Sequence, residues 1–589
     1  MSKTFSNLRE YIAHLEKKGD LMRVQTAVDP ELEITEIASR EMKAGGPALL
    51  FENVKGSRFP LAINLFASEE RIRTALGGDP KEVGEELVEI FEKVNPPSVK
   101  GVFSALPKLT RALSMRTSNS WTRAPVLANS EEADLLSLPA IKCWPKDGGR
   151  FITFGLVITH SPVSGSRNMG LYRLQIYDSK TTGMHWHPHK GGAAHYDEAE
   201  KLGRDLEAAV VLGGHPALIF SAIAPLPEGV DEVAFSGYLR RRAVSMTKGR
   251  SVSLKIPANA EMVIEGVVPK NKRRTEGPFG DHFGHYSMQA DFPVFEAKSM
   301  SFADGAVFPA TVVGKPPQED MFLGVAAGEM FSPLIRIIHP EIKEMWACPE
   351  AGFHNLLFVK VDERYPKNAV KSMLALWGTG QLALTKCIVT VSGDVNLRDF
   401  SAVTREIGKH FDPKDDFVLI PTAPLDTLDF TSGRFNVGSK VGINAVKKTG
   451  APPAQYCSSV PDPREKHPEI KDWRLLEGGF FVAKLAARPG GLAKRLFETP
   501  GFENIRIAVF VSADIDVHND TELIWGIFTR FDPRLDIEFE KTSPVGSDIK
   551  REGRMAIDAT IKEWYPEVTE MTPEIQAKVS KSWKTDRNS

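Results

Sequence analysis

The chain has 589 residues, too many for one hydrophobic core, so two to four domains are expected. At 42% hydrophobic and 25% charged it has an ordinary globular composition, and its net charge of -2 gives no electrostatic footprint for nucleic acid or an anionic membrane. No apolar run approaches the roughly 20 residues that span a bilayer, and Cys143, Cys348, Cys387 and Cys457 are too scattered for a zinc ribbon or a disulfide framework.

The N-terminal stretch has no apolar h-region and reads as an amphipathic helix, which makes the cytoplasm the expected compartment. "SNLREYIAHLEKKG" predicts a helix ending at a glycine cap, "PALLFENV" a short strand and "SEERIRTALG" a second capped helix. These define an N-terminal α/β domain over residues 1–125. "RAPVLANSEEADLLSLP" is a linker carrying a short strand. From "FITFGLVITHSP" to "FPVFEAKSMSF" the apolar runs are short and broken by Gly, Pro and Ser. That pattern predicts a β-barrel or sandwich over 126–310, with one helix at "AEKLGRDLEAAVVLG".

After residue 310 the α/β alternation returns and the sequence repeats. "IVTVSGDVNLRDFSAVTREIGKHFDP" begins at Ile388 and "IAVFVSADIDVHNDTELIWGIFTRFDP" at Ile507. Overlaid without gaps, Asp394, Phe411, Asp412 and Pro413 meet Asp514, Phe531, Asp532 and Pro533. A C-terminal α/β domain over 311–450 and a second copy of its unit over 451–589 follow. The second copy, which has Arg506 in place of Lys386, is expected to bury its apolar sheet face against the first copy or a neighbouring subunit. It is expected to have no activity of its own.

Three stretches could carry chemistry. In "NMGLYRLQIYDSKTTGMHWHPHKGGAAH", His185, His187 and His189 share one face of an extended strand. Three such imidazoles could bind zinc or iron, or line a polar pocket wall. In "RRTEGPFGDHFGHYS", Glu276 and Asp281 flank a Gly-Pro-Phe-Gly turn that can aim two carboxylates into one cavity, or form a solvated turn. With an arginine between them, one carboxylate stays ionised and the other delivers a proton. In "PEGVDEVAFSGYLR", Glu232 could be a ligand, or an acid favourable at a helix N-terminus.

Together with "LREYIAHLEKKGDL", "VDPELEITEI", "GPALLFENVKG", "CWPKDGGRFITFGLVIT" and "GSKVGINA", these motifs resemble the UbiD family of reversible aromatic and acrylic acid decarboxylases, over roughly residues 5 to 450. The resemblance implies an N-terminal α/β domain, a flavin-reductase-like split β-barrel and a C-terminal α/β domain for oligomerisation. It also implies prenylated FMN, made by a separate flavin prenyltransferase, with manganese and potassium as ions. Asn168 and Glu232 match the family's metal ligands. Leu171, Tyr172, Arg173, His185, Trp186, His187, Lys190 and Gly191 match the flavin-binding segment, and Lys386 a lysine near the cofactor phosphate. Where some members have a metal-ligand histidine this chain has Lys190, so His189 is the candidate third ligand, or Lys190 contacts the phosphate.

The catalytic trio matches Arg173, Glu276 and Asp281, so all the implied chemistry lies before residue 390. Aspartate followed by histidine is closer to the quinone-pathway branch (ubiquinone and menaquinone). A hydroxylated aromatic carboxylic acid is therefore the expected substrate, and a homo-oligomer the expected assembly. Two further readings are a metal-dependent hydrolase built on His185, His187 and His189, and a non-catalytic flavin-binding assembly protein.

Overall fold

The computed structural model describes residues 5–94, 111–120, 124–188, 190–227, 229–448, 450 and 452–586. The chain divides into two compact units, Met1–Phe331 with Glu567–Ser589, and Ser332–Pro566.

The first unit begins where the sequence places its caps. Asn7 accepts the Glu10 N–H at 2.9 Å to start the helix Leu8–Lys17, and Gly19 follows it at φ +73°. Ser68 and Gly77 bracket the helix Glu69–Leu76 in the same way. Leu8, Tyr11, Ile12 and Leu15 recur at helical spacing and are buried. A four-stranded sheet runs in the order Leu21–Val24, Ala48–Phe51, Leu61–Ile63, Phe308–Pro309.

The larger sheet is antiparallel. Its order is Arg273–Glu276, Ala290–Phe302, Met262–Val268, Leu206–Leu212, Phe151–His160, Arg167–Gln175. The path does not close into a barrel, and the 13-residue strand Ala290–Phe302 also pairs with Asn129–Glu132 and Thr181–Gly183. One expected element is corrected. "AEKLGRDLEAAVVLG" is not a single helix: the helix Gly191–Lys201 stops before Gly203 at φ +68°, and Leu206–Leu212 is a central strand. A glycine in the left-handed region ends the helix, and the apolar run after it pairs on both sides within the sheet.

A second correction concerns apolar length. The 20-residue helix Glu319–Ile338 is long and apolar enough, by length and composition, to cross a bilayer. Its opening turn is nevertheless committed to the protein interior. Glu319 is buried and accepts the Phe66 N–H at 2.7 Å, and Leu323, Ala326 and Met330 are buried with it.

The second unit contains both copies of the repeat. Each is a five-stranded sheet of the same order. The first is Ile342–Ala347, Leu356–Val361, Cys387–Val391, Val437–Ala445, Phe417–Pro424. The second is Ile470–Leu476, Phe480–Leu485, Ile507–Ser512, Asp548–Ala559, Ile537–Val545. The "FDP" corner is kept because its aspartate caps a turn. The Asp412 N–H donates to Asp416 at 2.9 Å and the Asp532 N–H to Asp536 at 2.8 Å, while Lys448 and Lys562 pair with those two carboxylates. The copies bury their faces against each other: Phe400 meets Phe480 and Phe528 edge-on, and Phe417 meets Phe539. The contact is reciprocal. Arg506 donates to the Phe411 carbonyl at 2.9 Å, and Lys386 lies 5.2 Å over the Phe531 ring.

Candidate active site

The candidate cluster is built on the strand Arg167–Gln175 and the turn after Glu276, both in the first unit. Alternation along the strand puts Leu171 and Arg173 on one face and Tyr172 on the other, where Tyr172 packs edge-on to Trp186. Arg173 and Glu276 are buried, and the pair is bidentate. Arg173 Nε donates to Glu276 Oε1 at 2.9 Å, and Nη2 to Oε2 at 3.1 Å. Nη1 is ion-paired with Asp281, Nη2 also donates to Ser287 Oγ at 3.1 Å, and the guanidinium lies 4.6 Å over Phe279.

One cation therefore faces two carboxylates. Burial alone would raise both acids, but the Arg173 charge and the His185 hydrogen bond bring Glu276 down to about 2. The His282 hydrogen bond and the Arg173 charge likewise hold Asp281 well below the carboxylate range. The two differ in access: the Glu276 side chain is 0% exposed and that of Asp281 is 13% exposed. A substrate carboxylate entering this cluster would be a third anion on one arginine. Asp281 is the more accessible of the two acids.

The turn that carries Asp281 is held by groups the sequence reading did not single out. Gly277 sits at φ +93°, a conformation that favours glycine, and its N–H donates to Gln175 Oε1 at 2.7 Å. Asp147 accepts the N–H groups of Cys143, Trp144 and Gly280 at 3.0, 2.9 and 2.8 Å. Burial pushes its carboxyl up to about 7 against those three donors.

Among the described residues, His185 and His187 are taken up by other partners. Beyond Gly183 the chain leaves the strand. His185 Nδ1 lies 3.1 Å from Glu276 Oε2, and its Nε2 3.0 Å from His187 Nε2. Burial, and then the Arg173 charge, lower the His185 pKa, favouring the neutral ring. His189 lies outside the described residues. Among the described residues no group of three or more His, Cys, Asp or Glu is placed to hold a metal.

Oxygen donors gather instead around Asn168. Glu232 opens the helix Glu232–Leu239 after its cap Asp231, and Glu232 Oε2 accepts the N–H of Met169 at 2.9 Å, next to Asn168 in the chain. Burial raises the Glu232 carboxyl despite that hydrogen bond. Asn168 Nδ2 and Trp186 Nε1 are buried with no hydrogen-bond partner among the described residues. A Cβ on Gly191 would come within 2.1 Å of Asn168 Oδ1, and one on Gly192 within 2.6 Å of Trp186 Nε1. Only glycine fits there, which leaves a cradle beside Lys190, the residue preceding the helix Gly191–Lys201. A half-buried carboxylate that accepts the N–H of the residue next to Asn168, whose side chain carries an amide oxygen, suits a hard divalent cation, so these residues fit the metal and flavin phosphate that the resemblance implies.

Lys386 belongs to the second unit, where it is fully buried and ion-paired with Asp429 at 2.8 Å.

Three family models match the chain, all of 3-octaprenyl-4-hydroxybenzoate carboxy-lyase (UbiD). The N-terminal domain covers residues 12–120, the Rift-related domain 117–316, and the C-terminal domain 321–445 and 458–559; none reaches past residue 559. An uncharacterised protein of Archaeoglobus fulgidus is 44% identical over 446 residues, 75% of this chain and 92% of its own. One of Chlamydia muridarum is 34% identical over 580 residues, 98% of this chain and 99% of its own, so it too carries the second copy. The UbiD-class enzyme HmfF from Pelotomaculum thermopropionicum, solved in complex with FMN, superposes with a TM-score of 0.64 at 27% identity, over 78% of this chain and 98% of that one.

Proposed function

The chain belongs to the UbiD family of carboxy-lyases, and from that premise we propose that it decarboxylates a hydroxylated aromatic acid of the kind used in quinone biosynthesis, with prenylated FMN as cofactor. The observation that carries the proposal is the buried Arg173, clamped by Glu276 and ion-paired with an acid that a substrate carboxylate can displace.

Arg173 receives the substrate carboxylate through charge-assisted hydrogen bonds, and Glu276 keeps the guanidinium plane fixed while it does so. Asp281 then loses the charge that depresses its pKa and takes a proton from solvent. As the carbon–carboxyl bond breaks and carbon dioxide leaves, Asp281 protonates the ring carbon and is restored by solvent, with no net oxidation. Asn168 and Glu232 would hold a divalent ion, manganese in the family, next to the flavin phosphate. Lys190 and the cradle at Gly191 would hold the phosphate itself. When bound, the prenylated flavin supplies an electron sink for the bond that breaks. A hydrolase built on the histidines is not favoured, because His185 is engaged with Glu276.

The test is a screen of hydroxylated benzoic and naphthoic acids with protein co-expressed with a flavin prenyltransferase. Carbon dioxide release from at least one, and none without the prenyltransferase, is expected. Flavin-loaded protein that turns over only non-aromatic acids would contradict the substrate class.

A further inference from the structure

Beyond residue 559, the last position matched by the family models, the tail Glu567–Ser589 belongs to the first unit. Its first residues pair with the loop that follows Asp281. Val568 forms an antiparallel bridge with His285. On either side of that bridge the Tyr286 N–H donates to the Glu567 carbonyl at 3.0 Å, and the Thr569 N–H to the Gly284 carbonyl at 2.9 Å. The Thr569 hydroxyl also donates to the Gly284 carbonyl at 3.2 Å and accepts the Lys315 N–H at 3.2 Å. A Cβ on Gly280 would come within 2.7 Å of the Thr569 methyl, so the tail lies directly on the residue before Asp281.

The loop is short and internally tied, so what fixes Gly284 also fixes Asp281. Asp281 N–H donates to the His285 carbonyl at 3.1 Å, and the Gly284 N–H to the Asp281 carbonyl at 2.8 Å. From the other side Asp147 holds the Gly280 N–H. The tail is itself anchored. Met571, Val579 and Trp583 are buried in the core that contains Trp144 and Phe279. Trp583 donates to Glu41 at 2.8 Å, Arg40 donates to the Gln576 carbonyl at 2.8 Å, and Lys578 pairs with Glu33.

We propose that Val568 and Thr569 are positioning residues for the decarboxylation: paired with Gly284–Tyr286, the C-terminal tail fixes the loop that sets Asp281 against Arg173. This rests on Asp281 being the acid of the proposed reaction. A displacement of about 1 Å at such a group costs on the order of a hundredfold in rate, and the tail adds two backbone hydrogen bonds and one hydroxyl contact to the Asp147 and intra-loop bonds that hold the loop.

The experiment uses the full chain loaded with flavin. Thr569→Pro removes the N–H that binds Gly284; Thr569→Val keeps the backbone and removes the hydroxyl; Thr569→Ser restores it. Lys578→Ala, at the far end of the tail, is the control. Rates are taken per flavin-loaded site, with amide exchange of residues 284–287 followed on cofactor-free protein. Thr569→Pro is expected to lower kcat roughly tenfold to a hundredfold with little change in KM. It should also speed exchange at Tyr286 and raise the apparent pKa on the alkaline limb of the kcat/KM profile, where Asp281 must be protonated to act, as Asp281 drifts from Arg173 in the free enzyme. Thr569→Val should show a smaller effect of the same kind, reversed in Thr569→Ser, and it answers the question if the proline variant does not fold. A lower melting temperature with kcat per loaded site and pH profile unmoved would overturn the proposal, because a purely structural tail would behave that way. Asp281→Asn in parallel separates the two readings. If it retains full turnover, the assignment of the acid fails; if it is inactive while Thr569→Pro and Thr569→Val match wild type, only the positioning role fails.

Discussion

Glu232 sets the clearest single-residue test of the cofactor cradle. Its half-buried carboxyl is raised by partial burial, and a cation at Asn168 would relieve the cost of ionising it. Glu232→Gln keeps an oxygen to accept the Met169 N–H and removes the charge. The variant is expected to fold normally and to lose manganese and flavin together, with metal retention weakened more than about tenfold. Metal analysis and flavin absorbance on the purified protein check this, and full loading of both would contradict the assignment. The meeting of Arg173, Glu276 and Asp281 is legible in the sequence because each sits in a distinctive motif. Asp147, Gln175 and Thr569 were not, since they act on backbone N–H and C=O groups of the turn. Such a contact constrains the chain path and leaves no signature in the residues it touches. His185 and His187 were read as neighbours and are neighbours, 3.0 Å apart, but the glutamate that takes up His185 arrives from a strand some ninety positions away.

At the scale of elements, the two copies of the repeat approach most closely where a helix meets a turn. A Cβ on Gly408, in the helix Phe400–His410, would lie 2.2 Å from the Gly478 carbonyl oxygen and 2.4 Å from its Cα. Alanine gains about 1 kcal/mol of helix propensity, but the obstruction is backbone and cannot rotate away. Overpacking of this kind costs about 1–3 kcal/mol, so Gly408→Ala is expected to lower the melting temperature by several degrees. Gly328→Ala is the contrast: nothing lies within 4 Å of the added methyl, and no loss of stability is expected. Calorimetry of both variants checks the pair, and equal melting temperatures would contradict the close approach. The duplication itself was readable from Asp412, Pro413, Asp532 and Pro533, because a capping aspartate and the proline after it are local features. The misread segment at residues 199–213 shows the limit. "LEAAVVL" carries two alanines and a glutamate that favour helix, and its place between two strands overrides that preference.

At the scale of the whole molecule, the second copy finds its partner within its own chain, which settles one of the two alternatives its apolar face left open. Beyond that copy's sheet, the residues from Glu567 pair with the loop that follows Asp281. The central claim concerns that loop and Arg173: a carboxy-lyase in which Asp281 delivers the proton that replaces carbon dioxide. Its most direct test measures carbon dioxide release and solvent deuterium incorporation together, on one sample in deuterated buffer, for wild-type and Asp281→Asn protein at equal flavin content. The account predicts one deuterium per carbon dioxide in the wild type and the loss of both in Asp281→Asn, with flavin binding retained. Undiminished carbon dioxide release and deuterium incorporation in Asp281→Asn would contradict it.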